Sequence, residues 1–264
     1  MINAIVKSTQ ETLNHDFILA TEETDFAKAQ TLLDLGVNVN CFNGAALAIA
    51  VGNGETAFVD FLIANGANVH LKEPFGLSLI HLDAARGGYC TEALINAGAN
   101  VSEKIGAGNS LLHNAVLIGD AERVEMLIKA GAEVSATTRR GETPLMLNLL
   151  KISEELMEDA SRRLEFGPHW LRARYAILDR LVHSDDADLS IPDSGGKTAL
   201  HYAASINDDV TLRMMFSTLP TLDTRDLQGK TPLHIAFACG NILFIQRATD
   251  GGADPELLKS LAKV

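Results

Sequence analysis

The sequence predicts an all-α solenoid built from repeated helix-turn-helix units, and three observations support this prediction. First, a short apolar motif returns with a period close to 33 residues. Second, a glycine-containing turn follows most copies of the motif after 19 residues. Third, aromatic residues make up only 5% of the chain, which is low for a globular core built on large rings.

The motif is clearest near the end of the chain. Residues 229–236 read Gly-Lys-Thr-Pro-Leu-His-Ile-Ala, and residues 196–204 are a near copy. Each further copy has a leucine or isoleucine at the anchor position, and the steps between anchors are 33, 32, 33, 55 and 33 residues. The anchors are Leu47, Ile80, Leu112, Leu145, Leu200 and Leu233.

The turn that follows the motif confirms this register. Leu47 is followed after 19 residues by Gly66-Ala67-Asn68, and Leu112 by Gly131-Ala132-Glu133. Counting back from Gly36 by the same distance places Phe17 at an anchor and Ala20 at the helix alanine. The count predicts a degenerate first repeat.

These motifs resemble the ankyrin repeat, and the resemblance covers residues 15–255 as seven units. It implies one domain, residues 1–264, with hairpin-like fingers between repeats and a C-terminal capping helix at 256–264. Residues 1–14 are expected to shield repeat one, and the outer helix of repeat six is in doubt because its Gly-Ala-Asp turn is missing. The expected repeats are 14–40, 41–70, 71–103, 104–136, 137–190, 191–224 and 225–255.

Each motif position has a physical reason. The threonine caps the inner helix, and the proline suits the first helical turn, where its missing N–H is no loss. The leucine and alanine bury against the neighbouring repeat, and the glycine ends the outer helix in the left-handed conformation. The resemblance also implies that the four motif histidines, His81, His113, His201 and His234, bond neighbouring finger backbone rather than form a catalytic or metal site.

The 55-residue step contains an insertion of 22 residues in repeat five, near 151–172. It is expected to be helical, since Leu171, Tyr175, Leu178 and Leu181 have helical spacing. Both helices of the repeat would then lengthen into a prong, residues 151–183. Trp170, the only tryptophan, either packs within this helical hairpin or docks a partner.

Composition excludes several classes of function. The 22 Lys and Arg against 34 Asp and Glu give a net charge of -12, which argues against a nucleic-acid-binding protein. The three cysteines form no Cys-x-x-Cys pair, and no apolar run approaches the ~20 residues that span a bilayer. The expected protein is cytoplasmic and monomeric, with no metal site and no cofactor.

The resemblance implies that a partner protein binds finger tips and the exposed ends of inner helices. Carried over position by position, it predicts an apolar cluster in the first half and a basic cluster in the second, with Cys41 and Ile206 also exposed. The predicted binding residues are Phe42, Phe75, Leu77, Arg86, Asn109, Leu117, Ile118, Arg139, Arg140, Lys151, Trp170, Lys197 and Lys230.

The predicted function is thus a non-catalytic protein-protein interaction module that binds through the concave finger and inner-helix surface. The chain is also similar in style to stand-alone ankyrin proteins of intracellular bacteria, some of which are secreted into host cells as effectors. Two alternatives remain open. One is a hydrolase or transferase with a site near Trp170, His169 and His183; the other is a regulatory or inhibitory subunit of an enzyme.

Overall fold

The computed structural model describes residues 2–72, 76–158, 171–218 and 221–251. Within those ranges the fold is all-α, apart from one two-stranded hairpin and an isolated bridge between Lys72 and Ser78. The chain divides into two compact units, the first ending at Glu103 and the second beginning at Lys104. None of the described helices combines the length and the apolar composition needed to cross a bilayer.

The first unit contains three helix pairs, in which the inner helices α1, α3 and α5 alternate with the outer helices α2, α4 and α6. Helix α3 packs on both α1 and α5, so the three inner helices lie in sequence order. The helices are α1 (Ile2–Glu22), α2 (Phe26–Asp34), α3 (Cys41–Asn53), α4 (Thr56–Ala64), α5 (Leu79–Arg86) and α6 (Thr91–Asn96).

The described residues of the second unit form an antiparallel hairpin and then four helix pairs. Its inner helices α7, α9, α11 and α13 pack on one another in order, and each carries its outer helix. The elements are β1 (Lys104–Ile105), β2 (Asn109–Ser110), α7 (Leu111–Ile118), α8 (Ala121–Lys129), α9 (Pro144–Glu158), α10 (Arg172–Val182), α11 (Ala199–Ala203), α12 (Asp209–Phe216), α13 (Pro232–Cys239) and α14 (Ile242–Asp250).

The predicted anchors form the core. All seven are buried, from Phe17 in α1 to Leu233 in α13, which confirms the register read from the sequence. Helix α1 is continuous from Ile2 to Glu22, so residues 2–14 extend the first inner helix. Repeat six has its outer helix, α12, despite the missing turn motif.

The hydroxyl residues before the inner helices act as predicted. Ser110 and Thr231 lie at the N-caps of α7 and α13, and each side-chain oxygen accepts the backbone N–H three residues on. In return, the Nδ1 atoms of His113 and His234 accept the N–H of the cap residue, at 3.2 Å in both cases. The motif histidine thus completes a capping box of the kind usually closed by Glu or Gln.

The insertion lengthens α9. This helix has 15 residues, against eight in α7 and in α13. Leu171, Leu178 and Leu181 are buried on one face of the segment that forms α10, as their spacing predicts. The remaining prong residues, 159–170 with Trp170, lie outside the described part of the chain.

Candidate binding surface

The first unit carries a cavity of about 540 Å³ on the exposed side of α3. Ala48, Ile49 and Gly52 of α3 line it, and so do Phe42 and Arg86. Two of the predicted binding residues therefore lie on one cavity. Leu77 is half-buried and does not line it, and Phe75 lies outside the described residues.

An unusual backbone turn forms one wall of this cavity. Phe42, Asn43 and Gly44 have φ values of 49°, 58° and 76°, so three consecutive residues are left-handed at the start of α3. The Phe42 side chain is 48% exposed, and its ring lies 5.0 Å from the ring of His15. The Nδ2 atom of Asn43 donates to the carbonyl oxygen of Lys72 at 3.3 Å.

One basic residue of the cavity lining is held in an ion pair. The ammonium group of Lys72, which lines the cavity, donates to the carboxylate of Glu103. This hydrogen bond holds the pKa of Glu103 below its ordinary value of 4.5, against the opposing effect of burial. Lys72 therefore already has an ion-pair partner within the unit.

In the second unit, the finger tips are joined by backbone hydrogen bonds. The N–H of Arg139 donates to the carbonyl oxygen of Ala107 at 2.8 Å, and the N–H of Ser194 donates to that of Arg140 at 2.7 Å. The N–H of Leu227 continues the row by donating to Gly195 at 2.9 Å. The four fingers of this unit thus form one connected row.

Carboxylates shape the last two tips of this row. Oδ1 of Asp193 accepts the N–H groups of Gly195 and Lys197, both at 2.8 Å. Asp226 does the same for Gln228 and Lys230, both at 2.9 Å. Burial raises the pKa of Asp226, but these backbone hydrogen bonds outweigh it and the pKa lies below 3.8.

The predicted basic cluster is placed among these acids. Arg139, Arg140 and Lys230 are exposed at finger tips, whereas Lys197 is half-buried. A second cavity of about 500 Å³ is lined by Arg140 and Lys197 together with Glu142, Asp193 and Asp226. Lys151 is bound to Glu154 at 2.6 Å. The surface at this cavity carries both signs of charge.

Of the other predicted residues in this unit, Ile118 is the most exposed apolar side chain, at 64%. It is the last residue of α7. Leu117 and Asn109 are half-buried, and Asn109 pairs with Ile105 in the hairpin. The prediction that Cys41 and Ile206 are exposed is wrong, because both pack into the helix layers and are buried.

Two family profiles match the chain. One, described as "Ankyrin repeats (3 copies)", matches residues 171–257, and the other, described as "Ankyrin repeats (many copies)", matches residues 89–128. The chain belongs to the ankyrin-repeat family. The predicted resemblance is therefore confirmed, and the two profiles fall on the predicted repeats.

The curated proteins that match this chain are much longer than it is. Human inversin is 27% identical over 234 residues, which covers 79% of this chain and 22% of inversin. Phosphocholine transferase AnkX of Legionella pneumophila is 24% identical over 203 residues, 66% of this chain and 21% of AnkX. The chain thus spans about a fifth of the length of these curated relatives.

A solved ankyrin repeat domain from Acinetobacter baumannii shares the fold. It matches with a TM-score of 0.64 and 18% identity, covering 79% of this chain and 98% of that domain. At this level of identity the likeness concerns the fold alone.

Two of the ankyrin-motif histidines bond the next finger, as predicted. Nε2 of His113 donates to the carbonyl oxygen of Glu142, and Nε2 of His201 donates to that of Lys230, both at 3.1 Å. The carbonyl can only accept, so Nε2 carries the proton and Nδ1 serves the capping box. Burial lowers the pKa of both histidines below 6.5. They hold the ankyrin fingers in register.

The sequence prediction missed Arg174, which anchors the base of the prong. Its side chain is buried and donates to Glu155 at 2.8 Å, to the carbonyl oxygen of Val116, and to that of Leu117 at 3.2 Å. The signal was present, because Arg174 interrupts the apolar face that begins at Leu171. The contact ties the insertion to the end of ankyrin repeat four.

The residues named for the enzyme alternative receive little support from the geometry. His183 is exposed, with Nε2 3.1 Å from the hydroxyl oxygen of Ser217, while His169 and Trp170 lie outside the described residues. In the part of the chain that the structure describes, no three His, Cys, Asp or Glu side chains are placed to hold one metal ion.

Proposed function

We propose that the chain is a non-catalytic protein-protein interaction module that binds a partner protein through its finger and inner-helix surface. The observation that carries this proposal is the exposure of apolar side chains on inner helices, where Phe42 is 48% and Ile118 is 64% exposed. Exposed apolar side chains on such a surface add buried area when a partner covers them.

The finger tips of the second unit add to this surface. The backbone of Arg139 and Arg140 is fixed by the hydrogen-bonded row, and both side chains are exposed. A guanidinium on a rigid backbone loses less conformational freedom on binding, which favours the recognition of a carboxylate or phosphate. The module is proposed to act as a monomer in the cytoplasm of its own cell or, after secretion, of a host cell.

Affinity capture from lysate, read by mass spectrometry, tests this function. Wild type is compared with Ile118→Asp and with Ile242→Asp, a control at an outer helix whose side chain is equally exposed at 64%. Bacterial and human-cell lysates are used side by side. We expect a protein that wild type and the Ile242 variant capture and the Ile118 variant loses.

Folding is checked by circular dichroism, since surface changes of this kind alter stability by only about 0.5 kcal/mol. Equal capture by the two folded variants would contradict a role for the inner-helix surface of the second unit. Light scattering on the purified protein measures its mass in solution and so tests whether it is a monomer.

A further inference from the structure

The cavity of the first unit is recessed because of the residues on α3. Ala45, Ala48 and Gly52 recur every three or four residues and are only half-buried, so small side chains face outward over two turns of helix. Buried Leu79 and Leu82 of α5 complete the apolar lining. The volume of about 540 Å³ falls in the range of roughly 300–1,000 Å³ that is usual for ligand sites.

The backbone beside these small residues is in a rare conformation. Phe42 and Asn43 are two of three non-glycine residues with positive φ among the described residues, and they are adjacent. Gly44 follows them so close to Leu71 that a Cβ would stand 2.5 Å from Cδ1 of that leucine. Backbone of this kind persists only where packing holds it, and it is concentrated at binding sites. Here this backbone conformation places Phe42 at the edge of the cavity.

Polar residues at the ends of the three inner helices line the cavity. Glu22, Asn53 and Arg86 are the last residues of α1, α3 and α5, and all three line the cavity. Adjacent packed helices lie ~8–10 Å apart, so the ends of α1 and α5, which carry Glu22 and Arg86, are separated by roughly 16–20 Å. Among the described residues, neither Glu22 nor Arg86 has an ion-pair partner.

We propose that this cavity binds an extended segment of the partner protein that places an apolar side chain against Ala48 and beside Phe42. An acidic side chain of the segment pairs with Arg86, and a basic one pairs with Glu22. This inference rests on the proposed function and specifies the partner chemistry. An extended chain advances ~3.3 Å per residue, so the two charged residues are about five or six positions apart, with the apolar residue between them.

The occupant is extended rather than helical. Over the same span an α-helix at 1.5 Å per residue would need about 11 to 13 residues between the charges. A helix is also ~10–12 Å wide with its side chains, whereas a single extended strand is narrower and can lie against the small residues Ala45, Ala48 and Gly52 of the lining. A single extended strand presents one side chain to such a recess.

A phage-displayed library of random 16-residue peptides, long enough to hold either charge spacing, is selected on the purified full chain and tests the proposal. We expect enriched peptides with one large apolar residue flanked by an acid and a base about five or six positions apart. The best peptide is then synthesised and titrated by fluorescence anisotropy. Ala48→Trp, which fills the recess, should weaken binding at least tenfold.

Charge reversal separates recognition from a structural effect. Arg86→Glu should weaken the peptide about tenfold, and the same peptide with its acid changed to lysine should regain most of the affinity for that variant. Lys129→Glu, a charge change on outer helix α8, is the control and should leave the affinity unchanged.

Three results would overturn the proposal: no enriched peptide, equal binding to the Ala48→Trp variant, or no recovery with the swapped peptide. Helical spacing of the enriched charges would overturn the extended occupant. The proposed function is judged separately, because the capture comparison at Ile118 concerns the second unit and does not involve this cavity.

Discussion

A Cβ atom on Gly141 would stand 2.9 Å from the Cα atom of Asp193, because the finger turns of repeats five and six lie backbone against backbone. Gly196 is in the same position against the N atom of Leu227, at 2.8 Å. Gly229, the equivalent glycine of repeat seven, has no described atom within 4 Å of such a Cβ. The motif glycine thus permits close contact between finger backbones in repeats five and six, whereas in repeat seven it faces open space among the described residues.

Gly141→Ala should therefore be more destabilising than Gly229→Ala. The two glycines have φ values of 75° and 74°, so both variants lose about 1–2 kcal/mol to left-handed strain. Only the change at Gly141 also forces two backbones apart, which costs about 1–3 kcal/mol more. Urea unfolding followed by circular dichroism measures the difference. Equal losses would show that the fingers separate easily.

Arg174→Met should lower the free energy of unfolding by about 1–3 kcal/mol. The variant keeps an unbranched apolar stem but leaves the carbonyl oxygens of Val116 and Leu117 without their buried donor. Arg180→Met, on the same helix, is the control, because the Arg180 side chain is 50% exposed and solvent screens its ion pair with Glu125. A loss no larger than the control's would mean that water replaces the guanidinium.

The repeat period predicts some features of the structure and leaves others open. A 33-residue repeat determines which side of each helix is buried, so the repeat alone assigns Leu112 and Leu233 to the core, where both lie. It does not say what replaces a motif residue. Asp83 occupies the helix-alanine position of repeat three, and it is buried because it accepts the N–H of Cys90 at 2.8 Å and the hydroxyl of Thr91.

The candidate site is harder to predict, because here too the residues depart from the repeat motif. Repeat position assigns Phe42 and Arg86 to the binding surface, yet the cavity that both line also includes the left-handed turn that follows Cys41. Residues 41–44 read Cys-Phe-Asn-Gly and lack the threonine and proline that start a standard inner helix. Periodicity gives no backbone conformation for such a departure, and it gives no partner for Arg174, 58 residues from Val116.

The buried histidines predict a pH dependence of stability. The pKa of His113 lies below 6.5 in the folded chain because burial disfavours the charged ring, while the unfolded chain keeps a pKa near 6.5. As the pH falls below about 6.5, the unfolded state takes up the proton first, so the free energy of unfolding decreases. Above that pH the contribution is fully present.

In the His113→Gln variant, the free energy of unfolding should therefore fall less steeply between pH 7 and pH 5. Its slope against pH should differ from that of wild type by up to the equivalent of about one bound proton. At pH 7 the variant should itself be less stable by about 1–3 kcal/mol, because the bond to the Glu142 carbonyl is lost. Urea midpoints at several pH values measure both effects, with exposed His70→Gln as the control. An unchanged slope would show that other groups set the pH dependence.

Thr24 lies where other repeats have glycine, and changing it should stabilise the chain. It precedes Asp25, the N-cap of α2, as Gly54, Gly119 and Gly240 precede the caps of α4, α8 and α14. Its φ of 54° is rare for a β-branched residue.

Relief of this strain outweighs the backbone entropy of glycine, so Thr24→Gly should raise the free energy of unfolding by about 0.5–1 kcal/mol. Thr24→Val keeps the branched shape and should bring no gain. A lower urea midpoint for the glycine variant would mean that the threonine side chain itself holds the turn.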